Sequence, residues 1–209
     1  PAATRRQLHH RDGSTAFGLP LAALPLGAAA PHTAPAPFAI VAAQAPTVQR
    51  INAFLSDRAT DWVLFLEAGE TLLSSGMLMF DLALGDAEQC DALYGDELYQ
   101  HEGDIHSTAF RPDFNLDLLL SYPAEMARHW LFRTRTLREL GGFNPHYAQA
   151  WQFEYIVRLI EQKGMGFAGH LPEPFLLGHL PEILTRAEEA NILTHHLRQR
   201  GYAQGEVAV

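Results

Sequence analysis

The chain has a single cysteine, Cys90, in 209 residues. An intrachain disulfide is excluded, and the cysteine usage gives no sign of an oxidising compartment. Cys90 precedes an apolar run and reads as a buried thiol. Positive charge is also scarce: 15 Lys and Arg stand against 24 Asp and Glu, a formal net charge of −9. That balance argues against a nucleic-acid binder, which needs a basic face, but leaves room for a local basic pocket. No stretch reaches the roughly 18–20 apolar residues of a membrane span. The segment from Phe17 to Ala30 is broken by Pro20, Pro25 and Gly27, and no signal-peptide pattern follows it. No glycine-rich phosphate loop and no G-x-S-x-G nucleophile elbow is expected, which weighs against an unrelated nucleotide-binding or hydrolase domain. The chain begins without methionine and reads as part of something longer.

What is present is a core. Hydrophobic residues make up 47% and charged residues 19%, the balance of a folded domain rather than a disordered chain. Residues 1–37 stand apart, with Pro20, Pro25, Pro31, Pro35 and Pro37. Proline at that density forbids a helix or an inner strand. The segment reads as an arm or linker in which Arg5, Arg6, His9 and His10 are solvated.

A strand–helix–strand pattern begins after the arm. Phe38 to Ala43 is an apolar run of strand length. Val48, Ile51, Phe54 and Leu55 recur at helical spacing between Pro46 and Arg58. Trp62 to Leu66 reads as a strand covered on both faces. A helix is expected over Met77 to Leu84, then a short strand over Ala92 to Tyr94. This alternation predicts an α/β fold, a mostly parallel sheet flanked by helices. Ligands in such sheets bind beyond the carboxyl ends of the strands. Farther on, helices are expected over Thr134 to Leu140, Gln149 to Lys163 and Arg186 to Arg200, each stopped by a glycine.

Chemistry-bearing groups cluster after the strands. Glu67-Ala68-Gly69-Glu70 follows Trp62–Leu66, and two carboxylates there suit a hard divalent cation or a plain polar turn. Asp96 and Glu97 follow the next strand. Arg111, Asp113 and Asp117 sit among aromatics, a mixture fitted to sugar or diphosphate contact or to a packed surface loop. Glu154 lies near the start of a helix, as a base or a cap. His179 follows an apolar run, where a packed histidine and a ligand are both open readings.

The order of these segments resembles the family 2 glycosyltransferases, inverting enzymes of GT-A fold that use nucleotide-diphospho sugars. Leu66 to Glu70 sits where that family carries its Asp-x-Asp metal motif. Tyr94-Gly95-Asp96-Glu97 resembles the family's second acidic strand end, and Arg111-Pro112-Asp113-Phe114 its Lys-Pro-Asp-Trp segment. Gly141-Gly142-Phe143 matches a family turn, Trp151 through Arg158 its catalytic helix, and Leu176-Leu177-Gly178-His179 its final motif. The resemblance implies a domain over 38–184, with a helical connector over 185–209. It implies substrate contacts from Asp96, Glu97, Arg111, Asp113 and Trp151, and a manganese or magnesium ion on Glu67, Glu70 and His179. The site falls at Gln152 and Glu154. A glycan acceptor, a second glycosyltransferase domain after the connector and a role in cytoplasmic polysaccharide or O-antigen assembly at the inner membrane face are implied in the same way.

The departures from the family fall on the chemistry. Gly69 stands at the second aspartate of the metal motif, and Gln152 at the catalytic base, where an amide cannot take up a proton. Glu154 retains an acid at the second aspartate of the catalytic helix. Two readings stay open: a glycosyltransferase domain, or a non-catalytic GT-A module that binds glycan or scaffolds a catalytic neighbour.

Overall fold

The computed structural model describes residues 7–9, 15–17, 22–25, 38–42, 47–56, 60–87, 89–101, 104–182 and 186–207. Strands β1 (Gln7–His9) and β2 (Thr15–Phe17) pair antiparallel, outside the main sheet. Strand β3 (Ala22–Pro25) runs parallel to β4 (Phe38–Ala42) and holds one edge of an eight-stranded sheet. An edge tolerates proline, because the missing N–H faces no neighbour. Part of the expected arm is thus a sheet edge; Arg5, Arg6 and His10 lie outside the described residues.

Helix α1 (Val48–Ser56) buries Val48, Ile51 and Leu55 along one face. All five residues of β5 (Trp62–Leu66) are buried, as expected for a strand covered on both sides. A tight turn leads to β6 (Thr71–Leu72) and α2 (Ser74–Asp86). The expected three-residue strand at Ala92 is longer: β7 (Ala92–His101) runs ten residues and pairs antiparallel with β8 (Asp104–Ala109). Short elements follow: α3 (Leu116–Ser121), α4 (Pro123–Met126), β9 (Leu131–Arg133) and α5 (Thr134–Glu139). The chain ends with α6 (Trp151–Lys163), β10 (Ala168–His179) and α7 (Ala187–Gln199).

The sheet order is β3-β4-β5-β9-β7-β10-β6, with β8 added beside β7. The strands β3, β4 and β5 are parallel, as are β7 and β10. Between the two parallel sets β9 runs antiparallel to both β5 and β7. The sheet is therefore mixed and curled, with helices flanking it.

Period-2 alternation divides the interior in two. Val63 and Phe65 of β5, Tyr94 of β7 and Phe132 of β9 enter one core, with α1 and α6. Trp62, Leu64, Leu66, Leu93 and Leu131 enter the other, with Phe80 of α2 and Phe175 of β10. Each fully buried aromatic or aliphatic side chain contributes about 1.5–3 kcal/mol. Ile192 of α7 joins the first core, so the connector helix is packed on this domain.

Gly164 to Gly169 does carry the spacing G-x-G-x-x-G, contrary to the expectation that no such run occurs. It joins the end of α6 to β10 through a short 3-10 turn over Met165–Phe167. A phosphate loop needs the reverse order, strand into helix N-terminus, so the run is a connection and not a phosphate cradle.

Candidate functional site

A cavity of about 1030 Å³ opens at the carboxyl ends of β5 and β10. Phe65 to Ala68 wall one side and His179 to Glu182 another; α6 contributes Trp151, Gln152 and Phe153. This is where an α/β sheet presents ligands. Trp151 is held edge-on against Phe65 and Phe143, at centroid separations of 4.9 and 4.6 Å. Gln152 lines the cavity, and its buried Oε1 has no hydrogen-bond partner among the described residues.

The Gly-Gly-Phe turn fixes the α6 side of the cavity. Asn52 of α1 donates from Nδ2 to the Phe143 carbonyl at 2.7 Å and accepts from its N–H at 2.9 Å. Arg158 donates to the Gly142 carbonyl at 2.8 Å and to that of Leu140. Glu154 is committed to the same anchor: its two oxygens lie 3.0 and 2.9 Å from Arg158 Nε and Nη2. It is not among the cavity residues. The acid expected as a base therefore positions the arginine that holds the turn.

The N-terminus of α6 has an unexpected cap. Glu188 of α7 accepts from the N–H groups of Ala148, Gln149 and Ala150 at 3.0, 2.8 and 2.8 Å. The three N–H groups belong to the segment entering α6, and a carboxylate there also complements the positive end of the helix dipole.

Beneath the cavity lies a chain of buried charges. Glu97 Oε1 is 2.5 Å from Arg111 Nη2, and Glu97 Oε2 is 3.0 Å from His129 Nδ1. His129 Nε2 reaches Glu70 Oε2 at 2.8 Å, and Arg128 Nη2 donates to Glu70 Oε1 at 2.9 Å. The side chains of Glu70 and Glu97 have no exposed surface. Burial pushes the Glu97 carboxyl up, but Arg111 and His129 outweigh it and hold the group down at about 2. Burial likewise raises Glu70, and the contacts with His129 and Arg128 bring it below its ordinary 4.5. For His129 burial favours the neutral ring, yet Glu97 and Glu70 overcome it and lift the group above 6.5. His129 also sits at φ 56°, in the left-handed region. Such strain in a non-glycine residue persists where its surroundings over-determine it, here two carboxylates on one ring.

These positions relocate several residues singled out in the sequence. Glu97 and Arg111 are interior; Arg111 also donates to the carbonyls of Gly95, Glu125 and Arg128. Asp96 accepts from the Arg111 backbone at 2.8 Å and lies 3.6 Å from His170. Asp113 is fully exposed, 3.1 Å from the other nitrogen of His170. None of these four lines the cavity: Asp96 and Glu97 fall in the middle of the ten-residue β7, with Glu97 paired to Ala109 of β8, and Asp113 faces solvent. Trp151, Gln152, Glu67 and His179 do line it. The sequence reading missed Arg128, His129 and Glu188. An Arg-His pair inside the otherwise apolar run from Met126 to Phe132 was the available signal for the first two. Nothing local marked Glu188.

The proposed cation does not fit the residues present. A hard cation needs several oxygens with free lone pairs. Both Glu70 oxygens are taken, by Arg128 and the His179 N–H on one and by His129 and the Glu67 N–H on the other. Two basic groups beside any metal at Glu70 would repel it. Among the described residues no three His, Cys, Asp or Glu gather as a ligand set. Gly69 explains itself locally: its φ is +95°, and a Cβ there would lie 3.1 Å from His179 Nε2. The turn needs the residue that carries no carboxylate.

No protein-family model and no curated protein matches the chain. Solved structures do. The crystal structure of TarS residues 1–349 from S. aureus, a family 2 glycosyltransferase, matches 78% of this chain and 62% of its own at 12% identity, with a TM-score of 0.51. Its complexes with UDP and with UDP-GlcNAc match 82% and 78% of this chain at 12% and 11% identity, with TM-scores of 0.50 and 0.51. The chain spans 62–66% of the length of those structures. The fold shared is that of GT-A glycosyltransferases. Among the described residues no helix is long and apolar enough to cross a membrane.

Proposed function

We propose that the cavity takes a nucleotide-diphospho sugar, and that the protein to which this chain belongs transfers the sugar to a glycan acceptor. One observation carries the reading: the cavity lies at the strand ends of a GT-A fold, as large as a small-molecule site needs, and TarS was solved with UDP and UDP-GlcNAc. Trp151 offers an aromatic wall to the apolar face of a sugar. Gln152 lines the cavity, where its amide can meet a sugar hydroxyl. In an inverting transfer the acceptor oxygen attacks the anomeric carbon as the diphosphate leaves from the opposite face. The acceptor proton then passes to a base, and charge builds on the diphosphate. In this reading the protein works in the cytoplasm at the inner membrane face, on a polysaccharide or O-antigen acceptor, beside a second glycosyltransferase domain.

A non-catalytic module is the second reading, and one observation favours it. The amide of Gln152 stands where a base belongs, and Glu154 is held by Arg158. The transferase reading requires a nucleotide site; a module that binds glycan or scaffolds a neighbour does not. Calorimetric titration of the 209-residue chain with UDP, GDP and dTDP tests for that site. UDP is expected to bind; a folded sample that binds none of them would end the transferase reading and leave the module. Release of UDP from UDP-GlcNAc then separates a transferase from a binder.

A further inference from the structure

We propose that the cavity binds a diphosphate directly on the Arg128 guanidinium, with no divalent cation between protein and phosphate. The inference rests on the nucleotide-site reading and names how that site holds its anion.

Glu70 is the carboxylate that a metal site would need, and it is spent. Its side chain is fully buried, and its oxygens receive four contacts, two of them from the basic side chains of Arg128 and His129. The backbone is shaped around this arrangement. Gly178 passes so close that a Cβ there would lie 2.9 Å from Glu70 Oε1. Swinging Glu70 out toward a metal would leave Arg128, His129 and the Glu67 N–H without their acceptor. Glu67 remains exposed on the turn, and a single carboxylate is a poor divalent site.

The same contacts aim a cation at the cavity. Arg128 lines it with its side chain 13% exposed. Nη1 donates to the His179 carbonyl at 3.2 Å and Nη2 to Glu70 at 2.9 Å. Those two bonds fix the guanidinium across the carboxyl ends of β5 and β10. Nη1 keeps a second N–H beyond the one given to His179. A planar, permanently charged group held in this way is suited to phosphate oxygens. Glu70 and Glu97 together face Arg111, Arg128 and His129, so with His129 protonated the cluster keeps one net positive charge. Arg186 also lines the cavity, as do Glu67, Glu182 and Glu189, of which Glu189 is buried and accepts from the Arg186 N–H. The anion's place is therefore between Arg128 and His179.

The test is calorimetric titration of the full chain with pyrophosphate and with UDP, once in excess EDTA and once with manganese. Free manganese is followed in parallel by its EPR signal. Arg128→Gln is compared with the paired variant Glu70→Gln/Arg128→Gln, which removes both charges and guards against an unfolded single variant; thermal melts confirm folding. Equal affinity in EDTA and manganese is expected, with an undiminished free-manganese signal in the absence of nucleotide. Arg128→Gln and the paired variant are expected to weaken both probes about tenfold or more, the loss for one charge-assisted hydrogen bond. Binding that requires manganese overturns the proposal and leaves the nucleotide-site reading standing. So does binding indifferent to both variants, which places the diphosphate elsewhere. Failure of both probes under both conditions overturns the proposal together with that reading.

Discussion

Arg111 Nη2 lies 2.5 Å from Glu97 Oε1, with side chains 1% and 0% exposed. Two residues that look like substrate ligands in the sequence form an ion pair in the interior. Arg111 also donates through Nη1 and Nη2 to backbone carbonyls of β7 and the α4 segment. The pair fastens the middle of β7 to the segment that carries Arg128 and His129. Its role for the site is positional.

Removing one partner should therefore destabilise the fold strongly. Glu97→Gln leaves Arg111 and His129 facing an amide in a region that water does not reach. Breaking a buried pair costs about 3–5 kcal/mol. Urea denaturation should show a loss of that size. A loss under about 1 kcal/mol, the worth of an exposed pair, would mean that the pair is solvated in solution.

The same cluster sets the pH response. Glu97 has a folded value of about 2, below its ordinary 4.5. Its contribution is present above 4.5 and is lost as pH falls toward 2, up to about 3 kcal/mol in all. His129 runs the other way. Its folded value is above 6.5, so its contribution is complete below 6.5 and fades as pH rises through the folded value. Melting temperature against pH should form a dome with an acid and an alkaline shoulder. Glu97→Gln should flatten the acid side. An acid limb identical in the variant would assign the loss to other carboxylates.

Glu188 holds the entrance of α6 from a helix distant in sequence. Glu188→Gln should cost about 1–2 kcal/mol, the range for losing a helix N-cap. Hydrogen exchange at Ala148, Gln149 and Ala150 should accelerate, with the rest of α6 unchanged. Unaltered exchange at those three amides would show that the cap is not kept in solution.

The turn at Gly69 gives a sharper test, because Gly69→Asp installs the second aspartate of the Asp-x-Asp motif that Leu66 to Glu70 resembles. Gly69→Asp forces a side chain into φ +95° and toward His179, at about 1–2 kcal/mol. Stability should fall by that amount, and manganese affinity should not appear, since Glu70 remains paired. A gain of manganese binding would mean that Glu70 is free to leave Arg128.

How much of this was legible beforehand depends on the range of each signal. Trp62 to Leu66 declared itself as a strand because all five residues are buried, and α6 because its apolar residues recur at helical spacing. The three residues of β9 were not legible: Leu131, Phe132 and Arg133 are too few for a period, and their strand exists only through pairing with β5 and β7. The cavity was half legible. Glu67, Trp151, Gln152 and His179 were found because they follow strands or open a helix. Arg128 and His129 were missed because their importance comes from Glu70 and Glu97, residues remote in the sequence. Glu154 misled for a local reason: an acid at a helix start reads alike whether it faces a cavity or the arginine one turn on.

Gln152 is the position at which chemistry can be added. Its Oε1 is buried at the cavity without a partner among the described residues, and the amide cannot accept a proton. Gln152→Glu places a carboxylate in nearly the same volume, so the fold should survive within about 1 kcal/mol. Desolvation would raise that carboxyl, which suits a base. If the cavity binds a donor and an acceptor in line, turnover should rise by about a hundredfold or more, the contribution of a positioned general base. The measurement is UDP release from UDP-GlcNAc by the two proteins, with UDP affinity determined alongside. Unchanged UDP affinity with no gain in release would show that the base is not the missing part, and would favour the module that binds without turning over.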